Sequence, residues 1–217
     1  MIDFAHRRTV MVDTQVRPSD VTKFPIIDAM LQVPRERFVP DAKREAAYMG
    51  GNLEIGEGRW MLEPRTLSKM LDALNAGPDD LVLDVAAGQG YAAAILSRLA
   101  QAVVALEEVP QLAREAESIL GEEGADNVAV VTGDLREGAA DLGPFDVILI
   151  EGGIEVLPEA LEAQLAERGR IAAIFMDGDL GTVRIGRKLG GVISWRDGFN
   201  AGAPVLGGFE RKSEFAL

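Results

Sequence analysis

The chain has 217 residues with no cysteine and a single histidine, His6. Without cysteine there is no disulfide framework, thiolate metal site or cysteine nucleophile. One histidine is too few for a histidine cluster, a His-based triad or the usual zinc geometry. Positive charge is also scarce: 22 basic against 35 acidic side chains leave a formal charge of −13. Affinity for nucleic acid and for anionic membranes rests heavily on basic groups, so neither partner is expected. Long apolar runs are missing as well, since none approaches the roughly 18 residues of a membrane span, and the opening MIDFAHRRTVMVD lacks the apolar block of a secretory leader. A soluble cytoplasmic protein without a metal is the expectation, large enough for one substantial core and cramped for two.

Proline and glycine divide the chain into two textures. Residues 1–63 are broken by Pro18, Pro25, Pro34 and Pro40, which restrict the chain to short helices. One is expected after an N-cap at Ser19 or Asp20, burying Ile26, Ile27, Met30 and Leu31, and another from Asp41 onward. GGNLEIGEGRWMLEP holds too many glycines and prolines for an element interior, so residues 50–63 read as an ordered loop or short hairpin, a candidate lid. Residues 64–217 alternate regularly. RTLSKMLDALNAG, GYAAAILSRLA, EVPQLAREAESILGEEG and LPEALEAQLAERG read as helices, between apolar strands in LVLDVA, AVVALE, NVAVVTGD, FDVILIEGG and RIAAIFMDG. Five buried strands separated by helices indicate an open parallel α/β sheet, and the glycine-punctuated tail is expected to close it as an antiparallel hairpin.

The chemistry concentrates where these strands end. In VLDVAAGQGY, Asp84 closes the first parallel strand, Gly88 and Gly90 form the turn, and Tyr91 opens a helix whose free amides face the turn. Such a turn is also an ordinary structural device, and Ala92 and Ala93 stand where a dinucleotide fingerprint would carry another glycine. Glu107 ends the next strand, the position from which a carboxylate accepts hydrogen bonds from a ribose diol; equally, Glu107 and Glu108 suit the start of the following helix. Asp134 and Glu151 follow two further strands, so four strands deliver an acid to one end of the sheet. A ligand rich in amine and hydroxyl donors accounts for that coincidence. S-adenosylmethionine is such a ligand, with a sulfonium charge that an acidic lining attracts.

These residues resemble the protein-L-isoaspartate O-methyltransferase family. The resemblance rests on VPRERFVP with AAY, LDVAAGQGY, Glu107, GDLREG, PFDVILIEGG and LPEALEAQLAERGR, in that order over nearly the whole chain. It implies an α/β three-layer sandwich of the class I S-adenosylmethionine-dependent, Rossmann-like type, with a mostly parallel seven-stranded sheet whose core runs 3-2-1-4-5. It further implies methylation of isoaspartyl carboxyl groups in damaged proteins or peptides, with S-adenosyl-L-homocysteine as product. In the family's terms Asp84, Gly88, Gly90 and Tyr91 cradle the methionine half, Glu107 takes the ribose hydroxyls, and Asp134 with the Leu135 amide addresses adenine. Glu151 stands near a position where the family usually has a small or hydroxyl residue. Residues 1–63 would cover the acceptor side of a core at 64–217.

One segment departs from the resemblance. Where family members read G-x-G-Q-T-I-S-x-P, this chain reads GEGRWMLEP, placing Arg59, Trp60 and Leu62 at Gln, Thr and Ser. Leucine cannot replace a hydroxyl's hydrogen bond. Arg59 can compensate by pairing with a carboxylate, or be a surface ion-pair residue; Trp60 can wall the acceptor site, or fill core space. Methylation of another carboxylate or of a specialised peptide, and a cofactor-binding interaction protein with little catalysis, are the alternatives this leaves. Methyl transfer to a carboxylate needs no strong base, because the acceptor is already ionised near neutral pH.

Overall fold

The computed structural model describes residues 3–211; residues 212–217, the end of the expected core, lie outside the described residues. The N-terminal segment carries α1 (Phe4–Met11), a π-helical turn at Val12–Val16, α2 (Phe24–Gln32) and short 3-10 turns at Arg35–Arg37 and Asp41–Ala46. Neither Ser19 nor Asp20 caps α2. Lys23 precedes the helix, Pro25 sets its first turn, and Asp20 takes a left-handed φ of 65° in the preceding turn. The segment from Asp41 winds as a 3-10 helix. Residues 53–61 form a hairpin of β1 (Leu53–Gly56) and β2 (Arg59–Met61), one of the two forms expected of the glycine-rich stretch.

The regular alternation builds α3 (Pro64–Leu74), β3 (Leu81–Val85), α4 (Tyr91–Leu96), β4 (Ala102–Glu107), α5 (Pro110–Glu122), β5 (Val128–Thr132), β6 (Phe145–Ile154), α6 (Glu159–Gln164), β7 (Leu165–Asp177), β8 (Leu180–Leu189) and β9 (Val192–Asn200). One seven-stranded sheet runs β5-β4-β3-β6-β7-β8-β9, with β3 to β7 parallel and β8 and β9 antiparallel. The parallel part has the expected 3-2-1-4-5 order. β7 begins earlier than the helical pattern of LPEALEAQLAERG implies: α6 stops at Gln164, and Leu165 pairs with Phe145. Arg168, at φ 68°, breaks helical geometry there, and the Gln164 side chain is anchored by accepting from the Ala139 N–H and donating to the Glu137 carbonyl.

Alternate strand residues face opposite layers, as a period of two requires. Val82, Val103, Ala105, Val147 and Leu149 join a core that also contains Val12, Met30, Phe38, Leu71, Ile95 and Leu120. Leu83, Val85, Val104, Ile148 and Ile150 face a thinner layer built from Leu161 of α6 with Leu135, Leu206 and Phe209. The N-terminal segment thus shares one core with α3, α4 and α5. The parallel strand ends, where β3, β4 and β6 point toward the hairpin, form the working edge of the sheet.

Candidate functional site

β3 carries Asp84 into the site fully buried, and the chain then turns through Gly88 (φ 56°) and Gly90 (φ 90°) into α4 at Tyr91. Both glycines occupy the left-handed region, where a side chain is strained. Ala86 lies in the same turn at φ 64°, a conformation that costs a residue with a Cβ about 1–2 kcal/mol. The strain is imposed by the two backbone donors beside it, since the Ala86 and Ala87 N–H groups bind the Leu106 carbonyl at 3.0 and 3.1 Å.

Glu107 ends β4 with no exposed surface. Its Oε2 accepts from the Gly88 N–H at 2.9 Å and its Oε1 from the Val109 N–H at 3.0 Å. Glu107 therefore belongs to the glycine turn. Arg59 is brought in by β2 of the hairpin, and its Nε lies 3.0 and 3.1 Å from the two Glu107 oxygens. Its Nη2 donates to Glu108 at 2.6 Å. Far from being a surface ion-pair residue, Arg59 is 4% exposed.

Glu151, from β6, is buried close to Asp84. Burial first, and then the neighbouring charge of Glu107, pushes Asp84 up to about 8, and burial with the adjacent Asp84 pushes Glu151 well above the carboxylate range. Two carboxyl groups so placed retain a proton at neutral pH. Both oxygens of Asp84 and the Oε1 of Gln89 are buried without a hydrogen-bond donor, an unsatisfied demand that an ammonium-bearing or hydroxyl-rich ligand meets.

The structure brings Asp84, Gly88, Gly90, Tyr91, Glu107, Glu151, Arg59 and Trp60 together. Asp134 stands apart: its side chain is 38% exposed and binds Arg136, at 3.0 Å through Nε and 2.5 Å through Nη2. The Arg136 hydrogen bonds hold its carboxylate below the usual range. Leu135 is a core residue on the thinner face. Leu62 is likewise wholly buried among apolar neighbours, and what it presents to polar groups is its carbonyl.

That carbonyl accepts from Arg35 of VPRERFVP, a residue whose partners lie 12 and 27 residues away, so that spacing along the chain misses its role. Arg35 is completely buried, donates to the Leu62 carbonyl at 2.7 Å and the Ala47 carbonyl at 2.6 Å, and lies 4.7 Å over the Tyr91 ring. A guanidinium among so many buried acids is a countercharge as well as a clamp. Ile55 was also missed. Its Cδ1 reaches to 2.5 Å of where a Cβ on Gly88 would stand, so the hairpin rests on the glycine turn. The cavity between them, lined by Ile55, Trp60, Met61, Gly88, Tyr91 and Glu151, measures about 10 Å³, room for a single water where a small-molecule site needs about 300 Å³ or more. A wider cleft of about 580 Å³ lies beyond the hairpin and shares Ile55 and Gln89 with it. The hairpin, as it stands, leaves no room for a small molecule between Ile55 and the acids. Among the described residues no group of acids and histidines is arranged to hold a metal ion.

The sequence matches the protein-L-isoaspartate(D-aspartate) O-methyltransferase family over residues 7–181. A protein-L-isoaspartate O-methyltransferase of Pelotomaculum thermopropionicum is 40% identical over 169 residues, 78% of this chain and 74% of the relative. Its counterpart in Methylorubrum extorquens is 42% identical over 169 residues, with the same shares covered. Among solved structures, a protein-L-isoaspartate O-methyltransferase superposes with a TM-score of 0.80 at 23% identity, covering 93% of this chain and 66% of that one. A Plasmodium falciparum protein described as a protein-L-isoaspartate O-methyltransferase, in complex with S-adenosyl-L-homocysteine, gives 0.77 at 18% identity, covering 95% and 99%. These last two establish the methyltransferase fold. By the extent of the sequence match, the chain belongs to the protein-L-isoaspartate(D-aspartate) O-methyltransferase family.

Proposed function

We propose that the protein is an S-adenosylmethionine-dependent O-methyltransferase acting on isoaspartyl carboxyl groups of damaged proteins and peptides. The observation that carries the reading is the clustering of Asp84, Glu107 and Glu151 around the Gly88 turn at the parallel strand ends, in a chain of this family. When bound, the cofactor supplies a methyl group on a positively charged sulfur, which a carboxylate oxygen takes as the carbon–sulfur bond breaks, leaving S-adenosyl-L-homocysteine. Glu107 is the residue for the ribose hydroxyls. Asp84, Gly88, Gly90 and Tyr91 line the methionine half, and the Leu135 amide and Asp134 serve the adenine end.

The remaining task is positioning, because the acceptor arrives already ionised. Glu151 opposes it less than an ordinary carboxylate would, because burial beside Asp84 raises its affinity for a proton well above the carboxylate range. That supports a carboxylate acceptor despite Leu62. Trp60 walls the same side. In this reading residues 3–63 cover the acceptor side of a catalytic core that begins at 64. We read the protein as cytoplasmic; no helix among the described residues is long and apolar enough to cross a membrane. Incubation with methyl-labelled cofactor and an isoaspartyl peptide is expected to yield a base-labile methyl ester; no product above a blank, with cofactor binding intact, would reject the isoaspartyl assignment.

A further inference from the structure

A carboxylate has about four lone-pair sites, and this chain supplies four contacts to Glu107: Arg59 Nε to Oε1 and Oε2, the Gly88 N–H to Oε2 and the Val109 N–H to Oε1. Two of the four are backbone donors, one in the glycine turn and one at Val109, the residue that caps α5. Only Arg59 can leave without unfolding either. We propose that Arg59 is a displaceable occupant of the nucleoside site, holding the positions on Glu107 that a ribose diol takes, and that cofactor binding swings the hairpin of residues 53–61 off the Gly88 turn. This deepens, and rests on, the cofactor assignment above.

The hairpin is built to move as a flap. Its feet are pinned: Asn52 accepts from the Glu63 N–H at 2.9 Å and donates to the Gly202 carbonyl at 2.8 Å, while Arg35 holds the Leu62 carbonyl. Between the feet stand strands of only four and three residues with an irregular register, too little to be stable alone. Its turn carries a modest cost at Glu57, a residue with a Cβ held at φ 51°, beside Gly58, which takes φ 73° freely. The flap is held down by the burial of Ile55 and Met61 in the main core, by the contact of Ile55 with Gly88, and by the Lys43–Glu54 and Arg59–Glu107 pairs, of which the Arg59–Glu107 pair is the one a ribose diol can replace. Glu108 makes the displacement feasible. It is 40% exposed and already bound to Arg59 Nη2, so a guanidinium leaving Glu107 keeps a carboxylate partner at the rim.

A ligand that must displace an internal competitor binds with an affinity reduced by the population of the open form. Titration calorimetry with S-adenosyl-L-homocysteine on the wild type, Arg59→Ala and Arg59→Gln, each checked for native circular dichroism, reads this directly. Arg59→Ala is expected to bind about ten-fold more tightly than wild type or better, with Arg59→Gln between them. Equal or weaker binding by the variants, with wild-type binding intact, overturns the latch and leaves the cofactor site standing. No binding by any of the three overturns the cofactor assignment, and the latch with it. A second measurement leaves Arg59 in place. The chain has two tryptophans, and Trp195 packs edge-on against Phe175 in the sheet, so Trp195→Phe leaves Trp60 on the flap as the sole reporter. Saturating ligand is expected to shift Trp60 emission to longer wavelength; an unchanged or blue-shifted spectrum at calorimetric saturation contradicts opening.

Discussion

The Nε of Arg59 lies 3.0 and 3.1 Å from the two carboxylate oxygens of Glu107, so that a hairpin residue pairs with the acid proposed above to take the ribose hydroxyls. Glu107 organises the site from both sides, because the Gly88 turn and the first amide before α5 bind the same carboxylate.

Glu107→Ala should therefore harm stability as well as binding. It strands a buried guanidinium and removes the acceptor for the Gly88 and Val109 amides. Losing one partner of a buried pair costs about 3–5 kcal/mol, and retention of Glu108 by Arg59 puts this case at the lower end. Urea denaturation is expected to show a loss of about 3 kcal/mol; a loss below about 1 kcal/mol would mean that the pair behaves like a solvent-exposed one.

Arg35→Met tests the clamp beneath the flap. Methionine fills much of the volume but leaves the Ala47 and Leu62 carbonyls without their donor. With about 1–3 kcal/mol at stake for each buried group left unpaired, the variant should lose at least about 2 kcal/mol. Hydrogen exchange near residues 47 and 62 should also accelerate. Wild-type stability and exchange would show that water takes the place of the guanidinium at no cost.

Ala86→Gly should stabilise the protein. It relieves a residue held at φ 64°, worth about 1–2 kcal/mol, against about 0.5–1 kcal/mol of added freedom in the unfolded chain. A gain of up to about 1 kcal/mol raises the melting temperature of a chain this size by about 2–4 °C. A lower melting temperature would show that the alanine methyl makes a contact outweighing the strain.

Asp84 and Glu151 give stability a pH dependence of definite sign. Their folded-state values are raised, Asp84 to about 8, so between the unfolded carboxylate range near pH 4 and about pH 8 the folded protein holds more protons than the unfolded chain. The stability this pair contributes is complete below about pH 4 and is lost as the pH rises through that window, at up to about 1.4 kcal/mol per pH unit for one proton. Glu151→Gln, which cannot ionise, should flatten the slope measured by denaturation at pH 5, 6, 7 and 8. An unchanged slope would place the titrating protons elsewhere.

The sheet was legible because strands buried on both faces are near-continuous apolar runs, as in VVAL of β4 and VILI of β6; Glu107 ends β4 as read, whereas Glu151, expected beyond its strand, lies inside β6, which continues through GGI to Ile154. The end of α6 was not legible. Helical spacing persists through Leu165, and only pairing of Leu165 with Phe145 turns that stretch into strand. Arg59 shows the sharper limit. In a glycine-rich stretch an arginine reads equally as a site residue paired with a carboxylate and as a surface ion-pair residue, and the partner that decides between them, Glu107, lies 48 residues away. Asp134 shows the converse: its position after β5 was legible, yet its side chain is 38% exposed and bound to Arg136 two residues along, while the acids it was grouped with are buried. Spacing along the chain locates the ends of elements; which charges face one another there is decided by the folded packing.

The most direct test of the account is a crystal structure of the protein with S-adenosyl-L-homocysteine. It should show the ribose hydroxyls on Glu107, the amino acid moiety beside Asp84 and the Gly88 turn, and Arg59 withdrawn toward Glu108 with the hairpin lifted. A nucleoside bound away from the ends of β3 and β4, or a ligand accommodated with Arg59 still on Glu107, would contradict it.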